Sequence, residues 1–185
     1  MDVVAPRKID NIYITGTTRG LGKALKQRYE SEYHFFNIIG LDRPQYVLGD
    51  SPIEDFVKTD FDIYIINAHH EWSQTELLYK LFEKNKNRRC QIIVIGSVSA
   101  DGDRKEVNKY AIQKKALDAA VTQLQLVKSN CTITQFKLGR MNTDLVKHID
   151  AKKMDTIDVA RKIYEIVELN TEDNYFKTVT LDVKE

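Results

Sequence analysis

The sequence predicts an α/β protein, a doubly wound, Rossmann-like parallel sheet with helices on both faces in three α/β/α layers. Two observations predict it. Apolar runs of strand length alternate with helical patterns along most of the chain. The runs are also nearly continuous, as in Ile63-Tyr64-Ile65-Ile66 and Ile92-Ile93-Val94-Ile95. Continuous apolar strands are buried on both faces, which is the condition of a parallel sheet. Right-handed crossovers then wind successive units to both sides of it.

In order, a strand is predicted over residues 9–15 and a helix over 20–30. Residues 35–41 make the second strand, and the short run 46–48 a third. One or two helical turns follow over 53–58, then a strand over 62–66. A helix over 75–86 leads to a buried strand over 91–95. A long helix over 107–128 precedes a strand over 132–138. A helix over 157–169 and a strand over 177–183 complete the chain. Asp155 or Thr156 can cap the helix at 157 by accepting from its first turn. Its residues Ile157, Ala160, Ile163, Tyr164 and Val167 recur at helical spacing and define a buried stripe. No repeat, low-complexity tract or linker interrupts the pattern, so residues 1–185 are expected to be one domain.

Composition narrows the partners. Hydrophobic residues are 42% and charged residues 30%, an ordinary globular balance with material for a core. The 28 basic and 27 acidic residues leave a net charge of +1, which offers no pull on nucleic acid or a membrane surface. No segment approaches the ~20 apolar residues of a membrane span. The start, Met1-Asp2-Val3-Val4-Ala5-Pro6, lacks the layout of a signal peptide, so a cytoplasmic protein is expected. Cys90 and Cys131 each stand just before a predicted strand and are expected to be reduced structural thiols. No metal site is expected.

The loop Thr15-Gly16-Thr17-Thr18-Arg19-Gly20-Leu21-Gly22 joins the first strand to the first helix. A tight strand-to-helix turn needs glycine for its backbone angles. A pyrophosphate must also approach the backbone closely, and the helix N-terminus offers it free N–H groups and a positive dipole end. In this context the glycines mark a dinucleotide site, where a lone triplet would not. Asp42 follows the second strand, 20 residues past Gly22. An acid there accepts from the adenosine ribose hydroxyls and repels a 2′-phosphate, which favours NAD. Arg43 and Arg19 argue for NADP, because either guanidinium can pair with a 2′-phosphate. Both can equally face solvent.

A second set of residues carries chemistry. Ser97 ends the strand at 91–95 and so stands at the carboxyl edge, where ligands bind in open parallel sheets. Tyr110 and Lys114 are four apart on a predicted helix and share one face. Each alone is common; order, spacing and context together are not.

The order Thr15-Gly-x-x-x-Gly20-x-Gly22, Asn67-Ala68, Ser97 and Tyr110-x-x-x-Lys114 resembles the short-chain dehydrogenase/reductase family. Leu138-Gly139-Arg140-Met141-Asn142-Thr143 is similar to that family's Pro-Gly-x-x-x-Thr segment, with leucine in place of proline. The resemblance spans nearly the whole chain. It implies an NAD(P)-dependent oxidoreductase that moves hydride between nicotinamide and a carbonyl/alcohol pair. Ser97, Tyr110 and Lys114 would be catalytic. Thr15, Gly16, Thr18, Arg19, Gly20, Leu21, Gly22, Asp42, Arg43, Asn67, Ala68, Tyr110, Lys114, Gly139 and Thr143 would line the cofactor. Tyrosine titrates near 10 and is a poor base at neutral pH. An adjacent ammonium, that of Lys114, favours the phenolate. Tyr110 would then donate or remove the proton, and Ser97 would hold the substrate oxygen. Lys114 would also bind the nicotinamide ribose, and Thr143 the carboxamide or phosphate side.

The chain departs from the family in four further places. His69 replaces the glycine after Asn67-Ala68. The family's asparagine on the helix before the serine strand has no counterpart near Glu71-Trp72-Ser73. The stretch between the second strand and the strand at 62–66 is short, and so is the one between Thr143 and the helix at 157. A short lid implies an open cleft for a bulky or carrier-linked substrate. It also suits the alternative, a non-catalytic NAD(P)-binding regulatory or sensor module. A sugar-nucleotide epimerase is disfavoured, since no second domain follows residue 169. Family members pair through two long helices, here 75–86 and 107–128, so a homo-oligomer is expected.

Overall fold

The computed structural model describes residues 11–32, 37–41, 57, 60–102, 107–143, 150–171 and 174–184. Its six strands are β1 (Asn11–Thr15), β2 (Asn37–Leu41), β3 (Ile63–Ile66), β4 (Cys90–Ser97), β5 (Cys131–Leu138) and β6 (Thr178–Leu181). They form one all-parallel sheet in the order β2-β1-β3-β4-β5-β6. The chain leaves β1 outward to β2, then crosses back to β3 on the other side of β1. The strand order therefore reverses beside β1, and such a switch point opens a crevice at the carboxyl edge.

Side chains divide by strand alternation between two cores. Ile12, Ile14, Ile63 and Ile65 pack with Leu21, Leu25 and Tyr29 of α1 (Gly20–Glu32) and Val159, Ile163 and Val167 of α4 (Thr156–Glu168). Tyr13, Tyr64 and Ile66 point to the other face. There they meet Leu77, Leu78 and Phe82 of α2 (Ser73–Asn85) and Leu117 and Val121 of α3 (Lys109–Leu124). All four residues of β3 are buried, as a strand covered on both faces requires.

The fold class predicted from the sequence is the one observed, and the element ends moved for local reasons. The helix predicted over 107–128 is shorter. Asn108 caps it by accepting from the Ala111 amide at 3.0 Å. At its other end the Gln125 side chain leaves the helix to donate to Ile133 O and Lys177 O, both at 2.8 Å. Asp155, one of the two expected caps of α4, accepts from Ile157 N at 2.8 Å and Asp158 N at 3.1 Å. One member of the expected stripe is wrong: Ile157 is 70% exposed, and Val159 is buried instead. The stripe centres between Ala160, Ile163 and Val167, and Ile157 lies on its far flank. The predicted strand over 46–48, and the turns over 53–58 apart from Val57, lie outside the described residues.

Cys90 and Cys131 are the first residues of β4 and β5 and are register partners. Both are buried thiols outside any disulfide, with sulfurs 3.1 Å apart. No described helix is long and apolar enough to cross a membrane.

Candidate active site at the carboxyl edge

The glycine loop is shaped by two close approaches. Gly16 has φ +74°, a left-handed conformation that favours glycine. A Cβ there would sit 2.9 Å from the Ala68 methyl. A Cβ on Gly22 would lie 1.9 Å from the Gly16 carbonyl oxygen, so only glycine lets α1 start this close to the loop. The first turn of α1 carries no acidic side chain, and Thr18 and Arg19 are exposed above it. Leu21 is buried beneath it in the core and anchors the helix start. This cradle fits a phosphate-bearing ligand: narrow, glycine-lined, and headed by a helix N-terminus.

The end of β3 is pinned to the loop. Thr15 Oγ1 accepts from Asn67 N and from Ala68 N, each at 2.9 Å. The Asn67 side-chain amide donates to Thr15 O at 3.0 Å and, more weakly, to Gly16 O at 3.4 Å. Gly16 N donates to Leu41 O at 2.6 Å, which holds the end of β2 against the same loop. Asp42 and Arg43 come next in the chain and lie outside the described residues. Beyond β5, Gly139 N donates to Leu181 O at 2.8 Å. Thr143 comes within 3.5 Å of where a Gly20 Cβ would stand, so the segment after β5 returns over the glycine loop.

Ser97 ends β4 and does two things. Its hydroxyl accepts from Ser99 N at 3.2 Å, which starts the short 3-10 turn Val98–Ala100. It also faces the Tyr110 phenol, which favours the phenolate. Burial outweighs this and raises the phenol above its ordinary value. Lys114 is 3% exposed, one turn on from Tyr110, with its ammonium 5.6 Å from the ring centre. That ammonium donates to Gln74 Oε1 at 2.7 Å and to Ile95 O at 2.9 Å. Burial brings its pKa down to about 7, against a small opposing pull from Asp118. The expected depression of Tyr110 by Lys114 is therefore not what this geometry gives. The ammonium turns to Gln74 and the strand, not to the phenol.

His69, at the glycine position of the resembled family, stands edge-on to Tyr110 with ring centres 4.9 Å apart. Burial, and then the Lys114 charge, lower its pKa to about 4. Gln74 and Gln113 approach the ring and oppose part of that fall. Its Nδ1 is buried and has no hydrogen-bond partner among the described residues, and the same holds for Gln113 Nε2. The loop that carries His69 is tied to α3 by an ion pair, Glu71 to Lys109 at 2.7 Å.

The structure thus gathers Thr15, Gly16, Thr18, Arg19, Gly20, Asn67, Ala68, Ser97, Tyr110, Lys114, Gly139 and Thr143 along one edge. Sequence reasoning missed Gln74. One signal was present: Gln74 falls on the helical stripe of Leu77, Leu78 and Leu81, and a polar residue on a buried stripe has a partner to satisfy. Among the described residues, no cluster of three or more His, Cys, Asp or Glu side chains is placed to hold a metal ion.

No protein-family model matches the sequence. No curated protein matches it either. Solved structures do match in three dimensions. A short-chain dehydrogenase/reductase from Vibrio parahaemolyticus superposes with a TM-score of 0.75 at 16% identity, over 94% of this chain and 100% of that one. A 3-oxoacyl-[acyl-carrier protein] reductase from Brucella melitensis, in complex with NAD, gives 0.74 at 13%, over 95% and 96%. An alcohol dehydrogenase from Thermococcus sibiricus, complexed with 5-hydroxy-NADP, gives 0.73 at 14%, over 94% and 96%. The likeness shows a shared fold, a Rossmann-like parallel sheet flanked by helices.

Proposed function

We propose that the chain is an NAD(P)-dependent oxidoreductase acting on a carbonyl/alcohol pair. The observation that carries it is the Ser97–Tyr110 hydroxyl pair beside the buried Lys114, on the same sheet edge as the glycine cradle. The loop backbone from Gly16 to Gly22, with Thr18, would bind the pyrophosphate. Asn67, Ala68, Gly139 and Thr143 would flank the rest of the cofactor. When bound, the nicotinamide supplies or accepts hydride. Tyr110 donates its proton to the carbonyl oxygen in reduction and takes one from the alcohol in oxidation. Ser97 holds that oxygen. Lys114 has one N–H without a partner among the described residues, which is free for a ribose hydroxyl. Asp42 favours NAD, while Arg19, exposed on the loop, favours NADP.

The test is loss of reduced-nicotinamide absorbance with a panel of aldehydes, ketones and carrier-linked oxoacyl groups. Turnover by the wild type is expected, and Tyr110→Phe should lower kcat by about 10²–10⁴-fold. An undiminished rate in Tyr110→Phe rules the assignment out.

One observation favours a second reading, a non-catalytic NAD(P)-binding sensor: the His69 ring packs against Tyr110. Calorimetric binding of NAD or NADP, with no turnover on the whole panel, would select it.

A further inference from the structure

We infer that Gln74 is a positioning residue for Lys114: its side-chain carbonyl, held by the ends of β3 and β4, fixes the ammonium at the sheet edge below Tyr110. The inference deepens the oxidoreductase reading and rests on it for its catalytic meaning. Gln74 is the second residue of α2 and is 3% exposed. Among the described residues its amide nitrogen faces only backbone acceptors: Ile66 O at 3.2 Å, Ile95 O at 3.3 Å and Asn67 O at 3.5 Å. Carbonyl oxygens accept and never donate. The amide orientation is therefore dictated, and Oε1 must face Lys114.

The consequence is electrostatic. A buried ammonium keeps its charge only where acceptors replace the water it has lost. Among the described residues Lys114 has two, Gln74 Oε1 and Ile95 O. Of the ionisable groups around it, Tyr110 and Asp118 lie one turn away on its own helix. Asp118 is engaged by Lys137 at 2.9 Å and by Gln135 at 2.6 Å. His69, on the loop after β3, is neutral near pH 7. The packed faces of α2 and β4 present Gln74 and Ser97, which carry no charge. Gln74 is thus the one side chain from another element that bonds the ammonium among the described residues. It reaches across 40 residues of sequence, on the helix where the resembled family carries its asparagine.

The geometry also links the two halves of the edge. Asn67, whose side chain clamps the glycine loop, gives its backbone carbonyl to Gln74. One amide therefore ties the cofactor cradle to the ammonium beneath the phenol.

The test is a pH titration of Lys114 by NMR, in full-length cofactor-free protein labelled with ¹³C at the lysine ε-carbon. The signal is assigned by its loss in Lys114→Met. In the wild type it titrates near 7. Gln74→Met keeps the volume but removes the acceptor, and should weaken proton binding by about tenfold or more, a shift of about one unit downward. Gln74→Glu supplies a charged acceptor and should shift it upward by at least as much. Two variants with opposite signs keep the test decisive if one of them folds poorly. The limb of the pH–rate profile set by Lys114 should move with the titration, which a merely structural role would not produce. A Lys114 titration unmoved in both variants overturns the inference. A titration that moves while the wild type turns over nothing supports the tether and defeats the oxidoreductase reading.

Discussion

The glycine loop and the Tyr110–Lys114 corner lie on one sheet edge but keep the pattern of the resembled family to different degrees. In the loop every motif position keeps both its residue and its reason. Gly16 needs its φ of +74°, and Gly22 needs to be without a side chain 1.9 Å from a carbonyl oxygen. At the other corner the motif residues are kept and their surroundings are replaced. His69 occupies a glycine position, and Gln74 stands where no asparagine is found. The difference follows from what each region must satisfy. Backbone against backbone leaves no freedom, because no side chain can relax the contact. A buried ammonium asks only for acceptors, and several residue types can supply one.

The sharpest way to break the comparison is Gly22→Val. Its Cβ would meet the Gly16 carbonyl and the Asn67 amide, 1.9 and 2.6 Å away, so the helix start must move. The expected cost is more than about 3 kcal/mol of stability, with loss of cofactor binding. Chemical denaturation and calorimetry measure the two. A Gly22→Val protein that binds NAD(P) with native affinity would show that the loop tolerates replacement as the other corner does.

The next effect concerns Lys114 and pH. Burial lowers its folded pKa to about 7, against 10.5 for the free side chain. Between those values the unfolded chain binds more protons than the folded one, so stability rises with pH across that window. The penalty is full below pH 7 and gone above about 10.5, with an upper bound of about 5 kcal/mol. Lys114→Met should remove this slope and raise stability at neutral pH, while weakening cofactor binding. Denaturation midpoints taken between pH 7 and 10 test it, and a slope that survives in Lys114→Met would place its origin elsewhere.

How much of this was legible in the sequence divides along the same line. The loop, Ser97, Tyr110 and Lys114 were readable because local spacing and chain order encode them. The sheet was readable because continuous runs such as 63–66 have only one good use. Gln74 was not read, because its partners come from β3, β4 and α3 and no spacing joins them. The direction of the Lys114 ammonium was also beyond the sequence: four residues of separation put it on Tyr110's face but do not say which acceptor it takes. Ile157 was misplaced because a helical period gives a stripe its spacing and leaves its centre to tertiary packing.

The smallest effect expected belongs to His69, and it tests whether the replaced corner is tuned or merely filled. Its folded pKa of about 4 lies below the ordinary 6.5, so the ring is neutral at neutral pH. The stability it contributes is full above pH 6.5 and falls as pH drops toward 4. The side chain is only partly buried, so solvent screening reduces the effect to about 1–2 kcal/mol. His69→Gly restores the residue of the resembled family. Its backbone has no positive φ, so glycine brings no conformational relief there and only the ring is lost. The variant should lose the slope between pH 4 and 6.5. If the ring merely fills space, turnover stays within about twofold of the wild type. If it blocks approach to Tyr110, kcat/KM rises with bulky carbonyls and stays level with small ones. The ratio between a small and a bulky substrate separates the two, since a general loss of packing would lower both.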